Sequence, residues 1–415
     1  MDLSIVIATR DRRELLGYTL ASIEAAEAAR GEGRGDAAAS EVVVVDHGSS
    51  DGTADLLADY ARRLPLRIVP LEFRDESIAE PKNAGAAAAR GDIVAFVDSG
   101  VLCAPGFAAA HLAAHHTAAG SDVPGSCVAG GVLGWDSEDE TDPFWTTVDP
   151  ARMPGTPLPE WPEFLEDPRI HHWDADSGAQ WLLMWGANLS VSRHSFLDVG
   201  GFDTGMSGWG WDDLELGFRL SRAGLRQVYA PDAWALHYPH PRAPLASRMA
   251  TSERNWLRAY ARHAAPELEL WDRCDFWGYA DCLTRVESTW RDVAQRLYDP
   301  PPRSEGVGRR VLFGFALPAE PEPGDVFVLP PAVGRRPPNP GVVTAYGLRT
   351  PLGDGCADVA VVSPALLAFD WPPSPGWPPL VDVMLREAVR VAGRVEVAGP
   401  DAGRRLGALA ERAAA

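Results

Sequence analysis

Lysine is almost missing from this chain. Lys82 is the single one among 415 residues, and arginine carries the rest of the positive charge. Basic residues are short as a class: Lys and Arg number 38 against 58 Asp and Glu, a formal charge of −20. So acidic a chain repels nucleic-acid phosphates and anionic lipid, and no stretch gathers enough arginine to reverse that locally. Nucleic acid is therefore not an expected partner. Cysteine is scarce too. Cys103, Cys127, Cys274, Cys282 and Cys356 are scattered, odd in number and without C-x-x-C spacing, which argues against a disulfide framework or zinc site and for buried thiols. No apolar run approaches the roughly 18 residues of a spanning helix, and the start, Met1-Asp2-Leu3-Ser4-Ile5-Val6-Ile7, has no basic n-region. The expectation is a cytoplasmic protein with no integral membrane association.

What the chain does have is a core and a pattern. With 46% hydrophobic and 23% charged residues it can bury a sizeable interior. Its length implies two or three domains, or one large domain with an appendage. Leu3 to Ala8 is a short β-branched run, and Thr9-Arg10-Asp11 then opens a helical stretch with Leu15, Leu16, Thr19, Leu20 and Ile23 on one face. Further strands are read at Glu41–Asp46, Leu66–Val69 and Ile93–Val97, the last ending at Asp98, with helices from near Ala54 and over Glu80–Arg90. Continuous apolar strands separated by helices predict a parallel sheet covered on both faces, with ligands at the carboxyl ends of its strands. Thr9, Asp46 and Asp98 occupy such ends.

From Gly134 to about Gln180 periodicity is lost, and Trp135, Trp145, Trp161 and Trp173 stand among prolines and acids; such an insertion reads as a functional loop or lid. The sheet pattern resumes at Trp185–Ser192, followed by a helix over Asp212–Ala223, extended pieces at Gln227–Tyr229 and Ala233–His237, and helices from about Leu245 to Leu297. The proline-rich stretch 299–308 reads as a linker between a domain over 1–298 and a small α/β domain over 309–415. Ala357–Val362 and the helix–strand pair over Leu385–Val397 are similar to the second half of a Rossmann-like domain. No glycine-rich phosphate loop precedes them, so acceptor presentation or self-association as a homodimer is the expected use.

Eight segments, in order, carry a resemblance. They are S-I-V-I-A-T-R-D-R at Ser4–Arg12, V-V-D-H-G-S-S-D-G-T at Val44–Thr53, K-N-A-G at Lys82–Gly85, A-F-V-D-S-G at Ala95–Gly100, G-A-N-L-S-V-S-R at Gly186–Arg193, G-G-F-D at Gly200–Asp203, G-W-G-W-D-D-L-E-L-G-F-R-L at Gly208–Leu220 and A-L-H at Ala235–His237. Over roughly residues 1–240 the chain resembles a family 2 glycosyltransferase with the GT-A fold, a Rossmann-like, mostly parallel mixed sheet flanked by helices. Its catalytic helix segment is similar to that of galactosyl- and N-acetylhexosaminyl-transferases. The resemblance implies a UDP-sugar donor, a hexose or N-acetylhexosamine, and a soluble acceptor (small molecule, peptide or saccharide).

The resemblance also implies roles for single residues. Thr9 and Arg10 fall on the base-binding edge, and Asp46 matches the first acid of the family's D-D-G-S pattern. The second acid is His47 here, which leaves the identity of the base open. Lys82 and Asn83 open a helix whose free N–H groups and dipole favour negative charge, where a diphosphate would lie. Asp98-Ser99-Gly100 occupies the D-x-D position, so Asp98, with His237 as a second ligand, would hold Mn2+ or Mg2+. Gly100 removes the usual second acid. Asp213, in the first turn of its helix, matches the general base of an inverting transfer, with Asp212 beside it to cap the helix or bind hydroxyls. Trp209 and Trp211 are expected at the acceptor, Trp181 and Trp185 in the core, and Glu215 with Arg219 as a supporting pair. A catalytically inactive nucleotide-sugar or glycan-binding module, a sugar nucleotidyltransferase and retention of configuration remain alternatives.

Overall fold

Strand β1 (Leu3–Thr9) is apolar on both faces, with Leu3, Ile5, Val6 and Ile7 at 2% exposure or less, so it needs cover on both. Helices supply it. In the computed structural model, which describes residues 2–31, 40–74, 77–118, 125–134, 178–271, 273, 278–295, 297–330 and 341–398, β1 leads into α1 (Arg13–Gly31), β2 (Ser40–Asp46), α2 (Thr53–Tyr60), β3 (Leu66–Pro70), α3 (Ala79–Ala88) and β4 (Ile93–Asp98). These four strands are parallel, in the order β3-β2-β1-β4. Thr9 pairs with Asp46 and Ala8 with Asp98, so the three strand ends named from the sequence do converge. Leu16, Leu20 and Ile23 of α1 pack with Ile5, Ile7, Val42 and Val44 on one face. On the other, Ala79 and Ala86 of α3 pack with Val6, Val43 and Phe96. Small residues let α3 lie close to the sheet: a Cβ at Gly85 would stand 2.4 Å from Val6 Cγ1.

Beyond β4 the sheet becomes mixed. It continues through β5 (Val101–Cys103), α4 (Phe107–Ala118), β6 (Ser126–Leu133), β7 (Asn188–Ser192), α5 (Arg193–Asp198), α6 (Asp212–Arg222) and β8 (Arg226–His237). The result has eight strands in the order β3-β2-β1-β4-β7-β6-β8-β5, with β7 antiparallel to β4 and β6, and β5 antiparallel to β8. The two extended pieces expected around Tyr229 and Trp234 are one strand, whose pairing with β6 slips between Gly130 and Val132. A buried polar chain joins α4 to the sheet. His111 bonds Asn188 Oδ1 and Ser190 Oγ at 2.8 Å each, and His115 bonds Ser190 at 2.9 Å and Ser126 at 2.7 Å. The tryptophan-rich segment 135–177 expected to form a lid, and Cys274, lie outside the described residues. Cys103, Cys127 and Cys282 are buried thiols, as their scatter implied.

The chain divides into units Met1–Leu257 and Arg258–Ala415, within α7 (Leu245–His263). The second unit holds α8 (Tyr279–Ala294), β9 (Arg310–Phe313), β10 (Asp325–Leu329), β11 (Val342–Thr344), β12 (Val359–Val362), α9 (Leu380–Val391) and β13 (Val395–Val397). Its strands form a wholly parallel sheet, β11-β10-β9-β12-β13. Composition alone places the boundary at 299–308, whereas residues from 258 onward group with this smaller sheet. The reason is local. Glu269 accepts N–H bonds from Tyr346, Leu348 and Arg349 at 2.9–3.0 Å, and the Tyr260 hydroxyl donates to the Arg349 carbonyl. No described helix is long and apolar enough to cross a membrane.

Candidate active site

The carboxyl end of β1 turns sharply. Asp11 takes a left-handed backbone (φ 48°), strained for a residue with a Cβ. The loop after β2 holds it there: its N–H donates to Ser49 Oγ at 3.0 Å, and its Oδ1 accepts from Ser50 N–H at 2.7 Å. Asp46 closes the same loop by accepting from Ser49 N–H at 3.0 Å. Thr9 and His47 sit side by side, joined through the His47 N–H and the Thr9 carbonyl at 2.9 Å. Both are buried, and among the described residues neither Thr9 Oγ1 nor His47 Nε2 has a hydrogen-bond partner. Buried polar atoms left unmatched cost about 1–3 kcal/mol each, which marks this strand end as unusual. Phe73 borders it, with the Arg10 guanidinium 3.2 Å from its ring centroid and the His47 ring 5.3 Å away. Sequence reasoning missed Phe73, because an aromatic just past a strand is too common a signal.

A second group of residues ties four elements together. Lys82, in the first turn of α3, is buried at 3% exposure, with Nζ 3.1 Å from Asp98 Oδ1 and 3.4 Å from the Gly186 carbonyl. The Gly186 N–H donates to Asp213 Oδ2 at 2.9 Å, and Leu214 N–H donates to Asp213 Oδ1 at 2.8 Å. A Cβ at Gly186 would come 2.9 Å from Lys82 Nζ and 3.5 Å from Asp213 Cβ, so a larger residue there would displace the lysine head. Burial pushes the Lys82 pKa down, but Asp98, Asp212 and Asp213 outweigh it, so the ammonium stays charged. Asp212 is pushed up to about 7 by burial and by the Asp213 charge, with Lys82 opposing. Two adjacent carboxyl groups, one with a proton affinity near neutrality, are equipped for acid–base work.

Several residues expected at the ligand instead hold the frame. The Asn83 amide clamps Phe202 at both ends, donating to its carbonyl at 2.9 Å and accepting from its N–H at 2.8 Å. The buried Ser99 hydroxyl donates to the Ala8 carbonyl at 3.0 Å. Both side chains are therefore engaged in fixing loops. Glu215 and Arg219 pair at 2.6 Å as their spacing predicts, and Arg219 also donates to the Val199 and Gly201 carbonyls. Trp211 is a correction. It enters α6 with a left-handed backbone (φ 74°), and its ring turns inward at 1% exposure, 6.3 Å from the Trp181 ring, so it offers no face to an acceptor. Trp209 stays at 44% exposure, with the Arg248 guanidinium 5.5 Å from its ring. Trp181 and Trp185 are core residues, as expected.

His237 closes β8. Burial, with the charges of Arg242 and His240, pushes its pKa down to about 3, so its imidazole is neutral, and among the described residues its buried Nδ1 has no partner. A neutral imidazole nitrogen and the half-exposed Asp98 carboxylate are donors that a divalent cation accepts. By donor type these two suit such a cation, most of whose shell would have to come from substrate oxygens and water. Among the described residues no cluster of three His, Cys, Asp or Glu forms, and Gly100 stands in place of the second acid. Sequence reasoning also missed the cations around His237. Arg12 Nη1 lies 2.9 Å from His240 Nε2, the His237 and His240 rings are 5.0 Å apart, and the charges of Arg12 and Arg242 act on both rings. These residues are 228 positions apart in the chain, and only the fold joins them.

Residues 4–147 match the family model described as glycosyl transferase family 2, and residues 174–241 that described as the N-terminal domain of galactosyltransferase. A validoxylamine A glucosyltransferase of Streptomyces hygroscopicus subsp. jinggangensis is 31% identical over 265 residues, 61% of this chain and 60% of that protein. An uncharacterized glycosyltransferase of Bacillus subtilis is 26% identical over 279 residues, covering 58% of this chain and 66% of its own. The chain thus spans about three fifths of the length of the first of these relatives. A mannosyltransferase from Pyrobaculum calidifontis, solved with GDP-Man and Mn2+, overlays with a TM-score of 0.42 at 18% identity, over 71% of this chain and 75% of that one. Residues 4–147 are thus similar to glycosyltransferase family 2, and residues 174–241 to the galactosyltransferase N-terminal domain.

Proposed function

We propose that the chain is an inverting glycosyltransferase that moves a hexose or N-acetylhexosamine from a UDP-sugar to a hydroxyl of a soluble acceptor. One observation carries the reading: the adjacent carboxyl groups of Asp212 and Asp213 meet the Lys82–Asp98 pair across the single residue Gly186. That brings an acid–base group and the nucleotide end of the crevice to one place. Inversion requires a base on the acceptor side of the sugar. Asp213, its two oxygens anchored by the Gly186 and Leu214 N–H groups, takes the hydroxyl proton as the acceptor oxygen bonds to C1. The C1–O bond to the diphosphate breaks, and its electron pair leaves on the β-phosphate oxygen. Asp212, coupled to Asp213, steadies the proton so gained. Thr9, Arg10, Asp46 and His47 border the base, and Trp209 offers its ring to the acceptor. When bound by Asp98 and His237, Mn2+ or Mg2+ supplies positive charge to the diphosphate.

Two relatives are named for glucose transfer to validoxylamine A, so UDP-glucose and validoxylamine A are the first pair to assay. With a turned-over pair in hand, Asp213→Asn should lower the transfer rate about 10²- to 10⁴-fold while calorimetry shows UDP affinity nearly unchanged. Transfer at the wild-type rate would remove Asp213 from the chemistry. Retained configuration at C1, read by proton NMR of the product, would overturn inversion.

A further inference from the structure

Gly186 touches Lys82 through its carbonyl and Asp213 through its N–H, so its place sets theirs. It stands in a turn from Trp185 to Asn188, closed by the Asn188 N–H on the Trp185 carbonyl at 3.2 Å. Both feet of that turn are fastened to one glycine pair on β6. Trp185 Nε1 donates to the Gly130 carbonyl at 3.1 Å, and Asn188 Nδ2 donates to the Gly131 carbonyl at 3.0 Å. The Asn188 amide also donates to the Ala233 carbonyl at 2.7 Å, in the stretch where β8 slips out of register with β6. Gly130 makes room for it, since a Cβ there would stand 2.3 Å from Asn188 Nδ2.

Asn188 is held in turn by a chain of side chains whose protons have one possible order. Its NH2 faces two carbonyls, so its Oδ1 can only accept, and His111 Nε2, 2.8 Å away, donates. Burial keeps His111 and His115 neutral. His111 Nδ1 therefore accepts from the Ser190 hydroxyl, Ser190 Oγ accepts from His115 Nε2, and His115 Nδ1 accepts from Ser126. All five side chains are at 4% exposure or less. Such a chain carries a desolvation cost that hydrocarbon would avoid, but satisfied throughout it fixes a single arrangement.

Resting on the transferase reading, we infer that Trp185 and the His111–Asn188 pair are positioning residues for the transfer, holding the Gly186 turn so that its N–H meets Asp213. They act through Gly186 alone. Lys82 has Asp98 as its nearer partner, at 3.1 Å against 3.4 Å for the Gly186 carbonyl, so a loosened turn disturbs Asp213 more than the lysine. The loss then falls on kcat and spares the donor KM.

Two substitutions at one position, made in the full chain, separate positioning from plain stability. His111→Gln keeps an N–H for Asn188 Oδ1 and loses the acceptor for Ser190. His111→Asn, one carbon shorter, keeps the acceptor and loses the N–H. Each forfeits one hydrogen bond, so the two should unfold at similar urea midpoints. Their turnover should differ. With a substrate pair that the wild type turns over, His111→Asn should lower kcat about tenfold at nearly constant donor KM, whereas His111→Gln should keep most of it. Hydrogen exchange at the Gly186 amide should quicken in His111→Asn and stay near the wild-type rate in His111→Gln. Trp185→Phe, which frees the other foot of the turn, should act like His111→Asn. Equal kcat in the two His111 variants, or unchanged Gly186 exchange in both His111→Asn and Trp185→Phe, overturns the positioning role. If the Gly186 amide responds as expected but the wild type transfers no sugar from any nucleotide sugar offered, it is the transferase reading that fails, and the positioning of transfer falls with it.

Discussion

The two units build their sheets in the same order and use them differently. In the N-terminal unit the parallel strands run β3-β2-β1-β4, and in the C-terminal unit β11-β10-β9-β12, in each case third, second, first, fourth. Open parallel sheets place a crevice at the carboxyl ends of the central pair. At the ends of β1 and β4 stand Thr9 and Asp98, polar groups facing a cluster of charge. At the ends of β9 and β12 stand Gly314-Phe315 and Ser363. Phe315 is fully buried, Leu366 comes within 3.2 Å of where a Cβ on Gly314 would lie, and the Ser363 hydroxyl caps the Ala365 N–H. Among the described residues, Phe315 and Leu366 pack hydrocarbon at this second pair of strand ends. Topology permits a site, and side chains decide whether there is one.

Buried charge divides in the same way. In the C-terminal unit several buried carboxyl groups are matched by donors: Glu269 accepts three backbone N–H bonds, Glu387 accepts from Thr350 and pairs with Arg390, and Asp325 pairs with Arg303 and Arg310. In the N-terminal unit one buried lysine answers to three carboxyl groups. Matched charge holds a fold, and unbalanced charge waits for a ligand. The sharpest break should therefore come from paired substitutions. Asp213→Asn should remove most of the transfer rate and also cost about 1–3 kcal/mol, since its NH2 would face the Gly186 or Leu214 N–H. Glu269→Gln should cost stability and leave the transfer rate in place. Its amide NH2 would face N–H donors, costing about 2–3 kcal/mol and speeding amide exchange at Tyr346, Leu348 and Arg349. Unchanged exchange at those amides would mean that the carboxylate does not hold that loop.

Acid should separate the units next. His47, His111 and His115, the buried histidines among the described residues, all lie in the N-terminal unit. Burial pushes His111 down to about 4 and His115 to about 3, so both are neutral in the folded protein. Their unfolded counterparts gain protons below about 6.5. Stability from this pair is then fully present above pH 6.5 and is lost as pH falls toward 4 and 3. At pH 5 each histidine should cost about 2 kcal/mol. Urea midpoints at pH 7 and 5 measure this, and His111→Gln, which keeps a polar group for Asn188, should remove about half of the loss that this pair contributes. An equal loss in wild type and variant would show that this pair does not set the acid sensitivity.

Much of the fold was legible because it rests on local pattern. The apolar runs of β1, β2 and β4 and the one-sided face of α1 read directly from the chain, and so did Thr9, Asp46 and Asp98 at the strand ends. What was not legible depends on distant partners. The helical stretch after 258 reads like an extension of the first domain until Glu269 is seen to cap the loop at 346–349. Asn83 looks like a nucleotide ligand until Phe202, 119 residues away, takes both ends of its amide. Arg12 and His240 meet only through the sheet.

The tryptophans give the smallest and finest contrast, since two residues in one motif had equal claims by sequence. Trp211 is held inward by its left-handed backbone, whereas Trp209 stays 44% exposed, its N–H donating to Thr251 Oγ1 at 3.3 Å. A sugar ring stacked on an exposed tryptophan gains about 1 kcal/mol. Trp209→Ala should therefore raise the acceptor KM about fivefold with kcat nearly constant, and Trp209→Phe should recover most of that. Trp211→Phe should instead lower the unfolding midpoint and leave KM in place, because its ring packs against Trp181. A KM that follows Trp211 and ignores Trp209 would place the acceptor on the other side of α6.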